Sequence, residues 1–132
     1  FSLRMAAHSS VMSFDSDVES IAALKKAAHN VQGQKPLTTE VRDLSENPLY
    51  KSELDSFDAV VFDPPRAGAE LQAREIASSE VSRVIAVSCN AATFARDASI
   101  LIDGGYRLEK VAPVDQFRFA GHVEMVGVFE RV

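Results

Sequence analysis

Two rhythms of apolar and polar positions alternate along this chain. Short β-rich runs stand at Val11–Phe14, Leu37–Val41, Ala59–Phe62 and Arg83–Val87. Each ends abruptly in polar or special residues, and three of them lead directly into a segment of helical period. Val18–Asn30 sets Val18, Ile21, Ala22 and Leu24 against Lys25, Lys26 and His29, with Asp17 as its N-cap and Asn30 to Gly33 as its stop. Glu70–Ser79 and Ala91–Ile102 are the next helices, the second stopped by Gly104-Gly105. Phe1–Ala7 reads as the middle of a helix, with no N-cap and no upstream turn, and Leu44–Phe57 is polar and irregular with a helical turn around Pro48–Leu54. Alternation returns in Tyr106–Pro113 and Val123–Arg131, which predicts an antiparallel pair on the edge of the sheet, joined by the loop Val114–His122. Strand, loop, helix, strand, loop, helix is the grammar of an α/β fold with a largely parallel sheet. In that setting the continuous run Ala59–Phe62 is expected to be buried on both faces.

Bulk properties narrow this little. At 132 residues the chain suits one domain with a real core, 46% hydrophobic and 25% charged, ordinary for a soluble globular protein. No apolar run approaches the length of a membrane span, and the N-terminus lacks the form of a signal peptide. A formal net charge of −5 argues against a general nucleic-acid clamp, which presents a basic face. If the chain acts on nucleic acid, most of the phosphate grip lies elsewhere. The single cysteine allows no internal disulfide and is either an inert residue or a nucleophile.

Candidate chemistry collects at the carboxyl ends of the expected strands, where open α/β sheets bind ligands. Asp15 ends the first strand. A carboxylate there either takes both hydroxyls of a ribose or caps the next helix. Asp43 follows the second strand and either accepts from an adenine amino group or sits in an exposed turn. Asp63-Pro64-Pro65-Arg66 follows the third strand; two prolines stiffen the turn and remove two N–H donors, aiming the carboxylate at one spot. A plain turn needs only one Pro or Gly, and Gly68 is already present. Arg66 suits a carboxylate or a phosphate. Cys89 follows the fourth strand and precedes a helix, where dipole and free N–H groups favour a thiolate nucleophile, with Asn90 and Thr93 as polar neighbours. Glu124, in His122-Val123-Glu124, is a general base if it lies near Cys89 and otherwise a solvated edge-strand acid. Asp115-Gln116-Phe117 lines the same pocket or shapes the turn.

Taken together, DPPRAGA at Asp63–Ala69, SCNAATFARD at Ser88–Asp97, DQF at Asp115–Phe117 and HVE at His122–Glu124 resemble the catalytic domain of the S-adenosylmethionine-dependent RNA (uracil-5-)-methyltransferases, over nearly the whole chain. Each motif is weak alone; the order and spacing of the set are specific. The resemblance implies a Rossmann-like class I methyltransferase sheet, parallel with an antiparallel C-terminal pair, with residues 1–132 forming part of one catalytic domain. It implies Cys89 as nucleophile, Glu124 as general base, and Asp63 beside the target base and the cofactor methyl group. Asp15 and Asp43 match the acids that hold the ribose and adenine parts of S-adenosylmethionine. No metal is called for. The implied substrate is RNA, with ribosomal RNA favoured over transfer RNA by the Ala67-Gly68-Ala69 and Cys89 segments, and the implied location is the cytoplasm. The reaction would be methylation of carbon 5 of a uridine through a covalent Cys–uracil intermediate.

The chain departs from the family pattern in three places. Ala91-Ala92 follows Cys89-Asn90 where members commonly have Pro, which is expected to loosen the turn, and Arg118-Phe119-Ala120-Gly121 replaces a Pro- or His-containing run. The family's first strand and its glycine-rich cofactor loop have no counterpart, nor has the N-terminal RNA-binding region of many members. The chain is therefore expected to be the C-terminal piece of a longer enzyme, to be nearly inactive alone, and to self-associate through an exposed sheet seam. Two rival readings are an amino-group methyltransferase acting on adenine or glutamine, whose Pro-Pro motif continues with an aromatic rather than Arg66, and a non-catalytic domain that keeps the fold.

Overall fold

The structure is a computed structural model that describes residues 1–115 and 123–132. It comprises two compact units, Phe1–Asn47 and Pro48–Val132.

The first unit contains α1 (Ser2–Ala6), β1 (Val11–Asp15), α2 (Val18–Asn30) and β2 (Leu37–Val41). β1 and β2 pair in parallel, from Val11 opposite Leu37 to Asp15 opposite Val41. Asp17 caps α2 as expected: its carboxylate accepts from the backbone N–H groups of Glu19 and Ser20, satisfying donors that a helix start leaves free. Only Ala6 and Ile21 of this unit's apolar residues are buried. Gly33, at φ +78°, makes the turn after α2 in a conformation that L side chains rarely adopt.

The second unit contains α3 (Lys51–Leu54), β3 (Ala59–Phe62), α4 (Glu70–Ser78), β4 (Arg83–Ser88), α5 (Ala91–Asp103), β5 (Tyr106–Val114) and β6 (Glu124–Arg131). Its sheet runs β3-β4-β6-β5. β3 and β4 are parallel, and β6 is antiparallel to both β4 and β5. The expected antiparallel pair is therefore present, with the last strand inserted next to β4 rather than outside β5. The expectation that β3 is buried on both faces does not hold: Ala59 is exposed and Val60, Val61 and Phe62 are half-buried. Within its sheet β3 is a terminal strand paired with β4 alone, so it lacks the cover of a central strand. β4 is the buried one, with Val84, Ala86, Val87 and Ser88 out of solvent.

The core of this unit is built by Leu54, Ile76, Val81, Val84, Leu101 and Phe129, all fully buried. Buried Gln72 and half-buried Arg131 tie backbone groups around it. The Gln72 amide closes on the backbone of Leu49, accepting its N–H at 2.8 Å and donating to its carbonyl at 3.0 Å. Arg131 lies with its guanidinium 4.2 Å above the Tyr106 ring and donates to the carbonyls of Ile76, Ala77 and Gly104. It thereby places a cation where α4 and α5 end and their last carbonyls lack helical partners. The two helices pack closely there, because a Cβ on Gly104 would sit 2.5 Å from the Cβ of Ala77.

Candidate functional site

Strand register brings three predicted residues to one end of the second unit's sheet. Ser88, the last residue of β4, pairs with Met125. One step further along that register stand Cys89 and Glu124, the latter opening β6 opposite Val114 of β5. Phe62, the last residue of β3, pairs with Ala86, so Asp63 leaves the neighbouring strand at the same end. Cys89 and Glu124 are half-buried and Asp63 is exposed. A thiol, a carboxylate at the start of the paired strand and a second carboxylate after the neighbouring strand thus share one sheet edge, although Asp63 and Glu124 lie 61 positions apart in sequence.

The bend that carries Cys89 is closed by its two neighbours. The Ser88 hydroxyl accepts from the N–H of Asn90 and donates to the carbonyl of Asn90, each at 3.1 Å. Asn90 then caps α5, its Oδ1 accepting from Ala92 N–H at 3.0 Å and Thr93 N–H at 3.5 Å. The Ala91-Ala92 start is thus capped by the side chain of Asn90. The thiol sits between the end of a buried strand and the start of a 13-residue helix.

The Asp63–Ala69 turn is held from outside. Gly68, at φ +79°, donates its N–H to Pro65 O at 2.9 Å. The bonds that reach the backbone of Arg66, Ala67 and the Ala69 N–H come from α5 and its cap. Asn90 Nδ2 and Thr93 Oγ1 donate to the carbonyl of Arg66 at 3.2 and 3.1 Å. Arg96 Nη2 donates to Ala67 O at 3.0 Å, and Asp97 Oδ2 accepts from Ala69 N–H at 2.7 Å. Asp97 is 4% exposed. Its charge is met by Arg96, whose Nε and Nη2 both donate to Oδ1, as burial of a carboxylate requires. The roles of Arg96 and Asp97 were not legible in the motif string. The available signal was spacing: polar residues at positions 90, 93, 96 and 97 share one helix face.

Asp15 and Asp43 belong to the first unit, at the carboxyl ends of adjacent parallel strands. Asp15 Oδ1 accepts from Asp17 N–H at 2.9 Å. Asp43 Oδ1 accepts from the Ser45 hydroxyl at 2.6 Å and its N–H at 2.9 Å. Those bonds, the hydroxyl's first, hold the Asp43 carboxyl below the ordinary 3.8. Both carboxylates are exposed. Asp115 ends just past β5 and Val123 stands just before β6. Gln116, Phe117, the Arg118–Gly121 run and His122 lie outside the described residues.

The fold is that of the class I S-adenosylmethionine-dependent methyltransferases, as the likeness to solved structures shows. Magnesium protoporphyrin IX methyltransferase from Synechocystis, with bound S-adenosylhomocysteine, superposes with a TM-score of 0.74 at 17% identity, covering 99% of this chain and 68% of that one. An S-adenosylmethionine-dependent methyltransferase from Methanosarcina mazei gives 0.67 at 11% identity, covering 100% and 87%. More particularly, the tRNA (Uracil-5-)-methyltransferase family model matches residues 22–132, and the chain belongs to that family. An uncharacterised RNA methyltransferase of Agrobacterium fabrum is 52% identical over 131 residues, 99% of this chain and 32% of the relative. The 23S rRNA (uracil(1939)-C(5))-methyltransferase RlmD of Acinetobacter baylyi is 40% identical over 111 residues, 83% of this chain and 23% of the relative. The chain spans about a third of the length of the first of these.

Proposed function

We propose that the protein containing this chain methylates carbon 5 of a uridine in RNA, with ribosomal RNA the favoured substrate and the cytoplasm its place of action, and that residues 1–132 are part of its one catalytic domain. The observation that carries this reading is that Cys89 and Glu124 each stand one residue beyond the Ser88–Met125 pair at one end of the sheet, with Asp63 leaving the neighbouring strand at that same end. Membership of the family and the 40% identity to an enzyme named for ribosomal uracil C5 methylation support it.

The donor set of the first unit fits S-adenosylmethionine: two exposed carboxylates at adjacent strand ends can accept from ribose hydroxyls (Asp15) and from an adenine amino group (Asp43). S-adenosylmethionine supplies an electrophilic methyl group when bound. Carbon 5 of uracil is too weak a nucleophile to take it unaided. The Cys89 thiolate adds to carbon 6, and the ring electrons pass to the carbonyl as an enolate, which makes carbon 5 nucleophilic. Asp63 would face the target base and the cofactor's methyl group, which carbon 5 would take as S-adenosylhomocysteine is released. After methylation Glu124 removes the carbon-5 proton, and the electrons of that C–H bond expel the thiolate. The base must leave any stack to reach these groups. With 14 basic against 19 acidic side chains, this segment contributes little to the phosphate grip.

The test uses the full-length protein, S-adenosylmethionine and RNA carrying 5-fluorouridine. Fluorine does not leave as a proton, so the covalent adduct accumulates, and mass spectrometry is expected to find it on Cys89. Cys89→Ala is expected to abolish both adduct and 5-methyluridine. Methylation that survives Cys89→Ala would favour amino-group transfer. Cofactor binding with no adduct on any RNA offered would sink the reading.

A further inference from the structure

We infer that the polar face of α5, formed by Asn90, Thr93, Arg96 and Asp97, is a positioning device that sets the Asp63-Pro64-Pro65 turn at a defined place relative to Cys89. The inference rests on the function proposed above and deepens it.

The geometry has three parts. First, the turn does little to hold itself: Pro64 and Pro65 have no N–H to donate, and its internal backbone bond runs from Gly68 N–H to Pro65 O. Second, α5 and its cap supply four bonds, to the carbonyls of Arg66 and Ala67 and the N–H of Ala69. All of them reach backbone atoms, so they specify the path of the turn whatever its side chains do. Third, the approach is so close that only glycine fits at position 68, where a Cβ would lie 2.5 Å from Arg96 Nη2, 2.8 Å from Asp97 Oδ2 and 2.9 Å from Thr93 Cβ.

The same helix begins just after Cys89. Asn90 is at once the residue after the nucleophile, the N-cap of α5 and a donor to Arg66. Asp63 and Cys89 are thus referenced to one rigid element, although they leave different strands. Arg96 is itself braced, pairing with Asp97 and lying 3.7 Å from Glu70 at the start of α4. None of these contacts touches the carboxylate of Asp63 or the thiol of Cys89, so the four residues act through the turn and not on the reacting atoms.

The experiment follows adduct formation between the full-length protein and 5-fluorouridine RNA over time. Its amplitude counts folded, competent sites, and its rate constant reports their geometry. Thr93→Val removes a hydroxyl at nearly constant size; Asp97→Asn keeps an acceptor for Ala69 N–H but turns an amide towards Arg96. Each is expected to slow adduct formation by about 10- to 100-fold at full amplitude, with KM for RNA little changed, because small misplacements of reacting groups act on rate. Wild-type rate constants in both variants, with loss confined to amplitude or melting temperature, would show a merely structural face and overturn the inference. If Asp97→Asn does not fold, Thr93→Val decides alone by the same two readouts. A wild type that forms neither adduct nor 5-methyluridine overturns the functional reading and this inference with it. An active wild type matched by both variants overturns the inference alone.

Discussion

At the scale of single residues, the polar groups inside the second unit are committed to backbone. Gln72, 4% exposed, mirrors the peptide of Leu49 with one donor and one acceptor. An apolar replacement of similar size fills the space but strands both backbone groups away from water. Gln72→Leu is therefore expected to lower stability by about 1–3 kcal/mol, read as a shift in the urea midpoint; an unchanged midpoint would mean that Leu49 finds water or another partner. Asp97 obeys the same rule with a charge in place of an amide, and it answers both Arg96 and the N–H of Ala69. Its role was invisible in the sequence because an Arg-Asp pair on a helix reads as a solvated face unless the facing loop is known.

At the scale of elements, helix packing turns on one glycine that needs no special backbone. Gly104 ends α5 at φ −80°, so its constraint is space alone, against Ala77 of α4. Gly33 is the opposite case, at φ +78° with open space around the position a Cβ would take. Gly104→Ala is expected to cost about 1–3 kcal/mol by overpacking. Ala77→Gly removes the nearest contact but leaves the residue-77 Cα at 2.9 Å and carbonyl O at 3.0 Å, so it is expected to relieve the clash in part, giving a coupling energy in a double-mutant cycle. Strictly additive effects would rule the contact out. The boundaries of α2, β2 and β3 follow the hydrophobic pattern to the residue. The insertion of β6 between β4 and β5 does not follow from any pattern, since strand order is decided by which edges meet after the chain has folded back.

At the scale of the molecule, four hydrogen-bonded surface carboxylates share one tendency. Asp17, Asp43, Asp55 and Glu70 are all held below their ordinary values, first by hydrogen bonds from Ser20, Ser45, Lys51 and Arg74 respectively. A depressed folded-state value means that the stability these groups contribute is fully present above the ordinary values, 3.8 for Asp and 4.5 for Glu, and is lost as pH falls through the lower folded-state values. Denaturation midpoints are expected to drop on acidification through that range, and less steeply in high salt, since all four groups face solvent. A midpoint that rises on acidification would contradict the assignment.

Read alone, the sequence determined the α/β class, nearly every element and the place of the candidate site residues at strand ends, because hydrophobic period, capping and proline act over a few neighbouring positions. Asp17 before its helix, the Asp63-Pro64-Pro65 turn after a β-rich run and Cys89 between strand and helix are local facts. Only the tertiary structure decided that Glu124 opens the strand beside β4, that β3 ends its sheet half-exposed, and that Arg96 and Asp97 grip the turn from a different element. Those outcomes depend on which edges and faces meet across tens of residues. A hydrogen bond to a backbone carbonyl leaves no mark on the identity of the residue that accepts it.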